Sequence, residues 1–439
     1  MNFVGWYGVS SSQRNSDPIA AHHLELLLRG LIVLAIIAAF VEGPKIEIGY
    51  IGLYLFDLIV VLISFNILIG LKLVGNIRIP RDELLLNLTT IYFLLVVILP
   101  LVGIIVHDHP LAYVVGDIRW LQMYLIGLVI ITLYSRKALS FRSDFVHSFK
   151  FIIGIYFGIF LLQLALYLDL YDTTPLLEFW FLNQSTYGEL GHHIGRFSGA
   201  GSSPSLIGLV SLLGTLIFGH TFLNNGENKI FVLISLTLLV ASGQRTAFVA
   251  TVLLASLLIT FHTGTPTDIS KPKTALVSVG GLSVGFATAY RLNIGRLQSD
   301  NRFDELLTAI LNPHKLPEVS GRGPRWESAI SAMNTHYPGG TLANPAHVLD
   351  TETIDSYYVL ALAQGHFLLL LIFLSFLLVA YRSILKYRYR NPQNALFAAI
   401  LLGAVTILSS MQNFLTSITG KLTLVLSVCF IFLLYTNDS

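Results

Sequence analysis

Residues 229–262 read KIFVLISLTLLVASGQRTAFVATVLLASLLITFH, an apolar stretch with one polar interruption at Ser242-Gly243-Gln244-Arg245. A helix rises about 1.5 Å per residue and a bilayer's hydrocarbon is about 30 Å thick, so a crossing takes roughly 20 residues. The run before the interruption, 229–241, has 13 residues and reaches only roughly 20 Å. The sequence therefore predicts two helices that break inside the membrane, with Arg245 below its surface. An ionisable residue at that depth is a functional candidate. Irregular backbone there has to line a cavity or other protein.

The same yardstick, applied outward, gives twelve apolar segments near residues 24–40, 49–70, 84–106, 111–134, 148–168, 204–223, 229–241, 244–262, 274–290, 356–381, 394–411 and 418–435. Only 12% of the 439 residues are charged and 54% are hydrophobic, with a mean hydropathy of +0.71. A water-soluble globule is excluded on that composition. The expected fold is an all-α polytopic membrane protein of about 12 transmembrane helices, forming one integral membrane domain over residues 1–439. The net charge of +2 gives no concentrated basic surface for nucleic acid. A single cysteine, Cys429, rules out a disulfide framework or a Cys-based zinc site within one chain. The first twenty residues are polar, without a cleavable signal pattern ahead of the first apolar run.

Lys and Arg in short loops mark the cytoplasmic side. They gather after the second segment (Lys72, Arg78, Arg81), after the fourth (Arg136, Lys137, Arg142) and after the tenth (Arg382, Lys386, Arg388, Arg390). Both termini are then cytoplasmic, and two longer loops, 169–203 and 291–355, lie outside. These loops break the charge rule: Arg196 sits in the first, and Arg291, Arg296, Arg302, Lys315, Arg322 and Arg325 in the second. An anionic ligand on the outer side is the expectation.

The first loop ends GHHIGRFSGAGSSPSLIG, in which Ser203-Pro204 has the form of an N-cap followed by proline at the first helical position. Gly195, Gly199 and Gly201 suggest an uncrowded backbone whose free N–H groups, with Arg196, make a phosphate cradle. A flexible loop with an Arg reaching lipid headgroups is the plainer reading. In the large external loop, Trp326, Ile330, Met333 and Tyr337 recur at helical spacing after Pro324. They predict an amphipathic helix on the membrane with Arg322 and Arg325 at its N-terminal end. His347, Asp350 and Asp355 follow at the outer membrane surface as candidate bases, although aspartates there also cap helices. His107-Asp108-His109 and His192-His193 match no metal-site spacing. Asp57, Asp117 and Arg119 are intramembrane charges that read as a mutual ion pair, with Arg119 joining the anion site as the alternative. The sequence has no fixed-period repeat, and no matched broken spans of the inverted-repeat transporter kind.

In order and content this layout resembles the O-antigen ligase and polysaccharide polymerase family of bacterial inner membranes, the Wzy and WaaL type. The matching elements are Arg196 followed by the helix start at Pro204, and the short span ending Ser242-Gly243-Gln244-Arg245-Thr246-Ala247. After them come Gly321-Arg322 to Trp326, the turn Pro338-Gly339, and a motif ending at Gly365. The match covers roughly residues 190–370.

The resemblance implies an inverting membrane glycosyltransferase with no metal and no cofactor. Its donor is an undecaprenyl-diphosphate-linked oligosaccharide, held by Arg196, Arg245, Arg322 and Arg325, and Asp355 or His347 is the base. Ligases of the family often carry a His-Asn pair shortly before the final span, whereas the corresponding stretch here, IDSYYVLALAQG, has Asp355-Ser356. A polymerase is accordingly favoured over a ligase that acts on an acceptor such as lipid A core. The implied partners are membrane lipids, a flippase and chain-length regulator proteins. A transporter for an anionic solute is the competing class.

Overall fold

In the computed structural model, which describes residues 18–42, 45–48, 51–70, 83–134, 138–180, 192–193, 196–201, 203–262, 323–335, 340–344, 348, 354, 356–412 and 414–435, the apolar runs form helices. The described chain is all-α apart from two short antiparallel hairpins. The elements are α1 (Pro18–Val41), β1 (Lys45–Ile48), β2 (Ile51–Tyr54), α2 (Leu55–Gly70), α3 (Glu83–His107), α4 (Ala112–Tyr134), α5 (Ala138–Tyr167) and α6 (Thr174–Trp180). They continue with β3 (His192–His193), β4 (Arg196–Phe197), α7 (Pro204–Asn225), α8 (Lys229–Ser242), α9 (Arg245–His262) and α10 (Gly323–Thr335). The last are α11 (Tyr357–Tyr387), α12 (Pro392–Met411), a 3-10 turn (Phe414–Thr416) and α13 (Ile418–Leu433).

Seven described helices are long and apolar enough to cross a membrane: α1, α3, α4, α5, α7, α11 and α12. The protein is thus a multi-pass membrane protein by helix length and hydropathy, and the count of twelve is corrected. Segment 274–290 lies outside the described residues. Four others, α2, α8, α9 and α13, register only as shorter apolar helices among the described residues, and for three of them a local reason is visible. In the second segment the alternating Lys45-Ile46-Glu47-Ile48 pairs with Ile51–Tyr54, register Lys45↔Tyr54 and Ile48↔Ile51, which delays the helix to Leu55. Asp57 Oδ2 accepts the Tyr54 N–H at 2.9 Å, reaching back over the first turn as a capping carboxylate does and fixing where α2 starts. Helix α8 stops at Gly243, in the left-handed region at φ 58°. Helix α13 begins behind the 3-10 turn, where Ser417 Oγ accepts the Gly420 N–H at 2.9 Å, and all sixteen of its residues are buried.

Helix α11 is two limbs. Gly365 and His366 leave helical geometry, and the chain reverses there. Tyr357 and Phe373 have ring centroids 5.2 Å apart and Tyr358 and Phe373 5.7 Å apart, whereas sixteen residues of straight helix would separate 357 from 373 by about 24 Å. The limb 357–364 therefore lies alongside the limb 367–387. The longer limb turns Phe367, Leu368, Leu371, Leu374, Leu378 and Leu385 outward; the shorter is largely buried. Tyr357 shares a hydrogen bond with Tyr92, the tenth residue of the 25-residue α3, which puts the start of the short limb in the interior of the bundle. The expected span 356–381 is corrected accordingly: position 356 is a re-entrant start inside the bundle and not an entry at the membrane surface.

Reversal frees the carbonyls of Ala363 and Gln364, which a continuous helix would pair four residues on. Residues 340–343 take up that place. Thr341 N donates to Ala363 O at 2.9 Å and Leu342 N to Gln364 O at 2.8 Å, while His109 Nε2 donates to Thr341 O at 2.9 Å. Gly340 has φ +75°, and a Cβ built on it would stand 2.5 Å from Ala363 O. Gly340→Ala is expected to destabilise the protein by about 1–3 kcal/mol. Thermal unfolding in detergent checks this against Gly154→Ala, where a Cβ meets nothing within 4 Å. Equal melting temperatures for the two variants would contradict the close packing of Gly340 on the Ala363 carbonyl.

Candidate functional site

The end of the first long loop, from Arg196 on, meets the bundle at the first turn of α7. Ser203 is extended at φ −154° and Pro204 opens the helix, as the sequence predicts, although the Ser203 side chain makes no capping bond. Gly199 and Gly201 before it are not uncrowded, which corrects the cradle expectation for those two, and Gly195 lies outside the described residues. A Cβ on Gly199 (φ +60°) would lie 2.6 Å from the Tyr156 ring, and one on Gly201 2.6 Å from Leu206. Their N–H groups are not free either: Gly199 N donates to Gln163 Oε1 at 3.0 Å and Gly201 N to Ser198 O at 3.3 Å. Gln163 also donates to Ser198 Oγ at 3.1 Å, and Trp180 Nε1 to Ala200 O at 3.1 Å. The segment is a built wall resting on α5 and α6.

The break between α8 and α9 falls where the sequence places it. Ser242 Oγ donates to Leu239 O at 2.7 Å and accepts from Gln244 N at 3.1 Å, so one hydroxyl serves both helix ends. Gln244 is wedged against Gly208 of α7, where an added Cβ would lie 2.9 Å from its own Cβ. Its Oε1 accepts from Gln412 Nε2, just past α12, at 3.2 Å. Arg245 is the first residue of α9, and α9 packs on α7 and α12. Arg196 lies in β4, which packs on α7 and α8. The backbones of Arg196 and Arg245 are thus both gathered around α7.

The amphipathic helix is present as α10, but its buried face differs from the expected one. Ala329, Ala332 and Met333 are buried and Ile330 is exposed, because α10 packs on α11 through small residues. Arg325 is half-buried on this helix. Arg322, Tyr337, His347, Asp350 and Asp355 lie outside the described residues; Ile354 and Ser356, which flank Asp355 in sequence, are buried. Ser356 Oγ donates to Ser409 O at 3.5 Å. Buried donors without a partner among the described residues include Trp326 Nε1, Gln364 Nε2 and Ser409 Oγ, carried by α10, α11 and α12. Buried polar atoms are rarely left so.

A second polar group joins α2, α4 and α13. Arg119 meets Asp57 through two contacts, Nη2–Oδ2 at 3.2 Å and Nε–Oδ1 at 3.3 Å, with side-chain exposures of 18% and 8%. Its guanidinium also stacks over the Tyr54 ring at 5.0 Å. This is the ion pair read from the sequence. The sequence reading missed Lys421, which is 2% exposed, lies over the Trp120 ring at 5.3 Å, and is attracted by Asp117 and Asp57. Its signal was a lone lysine within the apolar run 418–435. Two acids and two bases here balance in charge.

No known protein family matches this chain, and no curated protein matches it.

Removing one member of a buried pair strands the other charge, at a cost of about 3–5 kcal/mol. Arg119→Met is expected to lose that much stability, and Asp57→Leu with Arg119→Met to lose far less. Thermal unfolding of the three proteins in one detergent decides it: a double variant no more stable than the single would mean that the pair carries no such coupling.

Proposed function

We propose that this multi-pass membrane protein is a glycosyltransferase that polymerises a surface polysaccharide, an O-antigen or exopolysaccharide, at the outer face of a bacterial inner membrane. The observation that carries the reading is the gathering of the Arg196 and Arg245 backbones around α7, beside the break that ends the short run 229–241. With it goes the resemblance in motif order to polymerases and ligases of that type.

In this reading the donor is the growing glycan on undecaprenyl diphosphate, and the acceptor is the next lipid-linked repeat unit. Arg196, Arg245, Arg322 and Arg325 pair with the diphosphate, and the N-termini of α7 and α9 add their partial positive charge. As the anomeric C–O bond breaks, negative charge grows on the leaving diphosphate. Fixed guanidinium donors stabilise that charge more than they stabilise the ground state. The acceptor hydroxyl attacks the anomeric carbon from the face opposite the leaving group, so the configuration inverts. Asp355 or His347 takes the hydroxyl proton. The products are the lengthened lipid-linked glycan and undecaprenyl diphosphate. The basic short loops and both termini then lie in the cytoplasm.

Deleting the gene is expected to remove long surface polysaccharide while single repeat units remain. Arg196→Ala and Arg322→Ala, each inserted at wild-type level, are expected to lose polymer by about 100-fold or more, the usual effect of removing one donor to a developing anion. Gel analysis of surface glycan length reads both. Full-length polymer from both variants would sink the clamp, and free lipid-linked polymer accumulating in the deletion strain would point to a ligase.

A further inference from the structure

A polar cavity lies at the end of the bundle opposite the break between α8 and α9. It has a volume of about 310 Å³ and is bounded by α5, the end of α7, the start of α8 and the start of α12. Three of its basic residues come from α5, Arg142, His147 and Lys150, and a fourth, His220, from α7. Glu227, exposed on the turn between α7 and α8, is the one acid among the lining residues.

Arg142 and Lys150 form no ion pair among the described residues. Asp144 is the acid closest to Arg142 in sequence, and it is engaged by Arg29 at 2.8 Å and by the Tyr134 hydroxyl at 2.8 Å. Lys150 rests over the Phe231 ring at 5.7 Å, a contact that leaves its ammonium free to donate. His147 Nδ1 donates to Ser143 O at 2.7 Å, which sets the ring. Two helices also begin at the cavity wall: Asn228 is the N-cap of α8 and Gln393 is in the first turn of α12. Their N-terminal dipoles add to the positive potential.

The surroundings suit a ligand that is part phosphate and part hydrocarbon. Phe151 follows Lys150 on α5, and Ile230 and Leu233 lie in the first turns of α8; all three are exposed apolar side chains. Acyl chains can therefore lie against the helices while a headgroup sits in the cavity. By the charge rule this end faces the cytoplasm, where basic pockets between membrane helices take anionic headgroups.

We infer that the cavity between α5, α7, α8 and α12 is a phosphate-binding site, taking the headgroup of an anionic phospholipid or a soluble phosphate, on the face opposite the proposed reaction. The test uses the full chain, purified and delipidated in detergent. Thermal unfolding is followed as dioleoyl-phosphatidylglycerol, dioleoyl-phosphatidylcholine or inorganic phosphate is titrated in. Phosphatidylglycerol is expected to raise the unfolding temperature and phosphatidylcholine to leave it unchanged. Protection by inorganic phosphate alone would assign the site to a soluble ligand; protection by phosphatidylglycerol alone assigns it to the headgroup.

Arg142→Gln with Lys150→Gln is expected to weaken the response about fivefold per charge removed. Arg382→Gln with Arg390→Gln, exposed and outside the cavity, should keep it. A cavity variant that responds like the wild type, or a control that loses as much, overturns the site. If the glutamine pair folds poorly, Arg142→Lys with Lys150→Arg must retain the response, and its loss there also overturns the proposal.

Discussion

A peptide carbonyl inside hydrocarbon has no water to bond with, and leaving it unpaired costs several kcal/mol. That constraint governs how this chain can interrupt its helices. At Gly365-His366 the chain turns back on itself, and the carbonyls of Ala363 and Gln364 lose their helical partners. Residues 340–343 supply replacements in the form of backbone N–H groups. The price is strain, with Leu342 at φ 59° and His366 at φ 53°, where bulky side chains are rarely found. At Ser242–Gln244 the solution is cheaper, because a serine hydroxyl bridges the two helix ends. Both interruptions are therefore specified structures.

The other organising element is α13, a helix with no exposed side. Because it is surrounded, its polar groups need partners from neighbouring helices, and those partners set the arrangement. Thr419 donates to Ala39 O of α1 at 2.7 Å, and Lys421 sits over Trp120 of α4. Tyr156 of α5 donates to Phe40 O of α1 at 2.7 Å. The end of α1 is thus held from both α13 and α5, and the wall before α7 rests on Tyr156 in turn. In this way the packing of buried α13 is transmitted to the segment that carries Arg196.

Much of this was legible in the sequence wherever a signal is local. The short run 229–241, the Ser203-Pro204 helix start, the helix after Pro324 and the Asp57–Arg119 pair all follow from residue type and spacing. What was not legible depends on contacts distant in sequence. Nothing in YYVLALAQGHFLLLL marks a reversal: there is no proline and the apolar character is unbroken, so the turn is visible only once 340–343 is placed against it. The strands at 45–54 were hidden because a strand and a helix start are equally apolar at Ile51 to Tyr54. The glycines at 199 and 201 signalled freedom but serve close packing against Tyr156 and Leu206. The assignments proposed for the arginines, His347 and Asp355 come from the order of motifs along the chain.

The re-entrant limb brings the end of the large loop into the bundle beside α12. The most direct test is cross-linking of Tyr358→Cys with Phe373→Cys, in a Cys429→Ala background, using a short bifunctional thiol reagent in native membranes. A reversal at Gly365-His366 predicts efficient intramolecular cross-linking. An uninterrupted helix would hold the two positions about 22 Å apart, and absence of the cross-link, with both thiols shown to be reactive, would contradict the account.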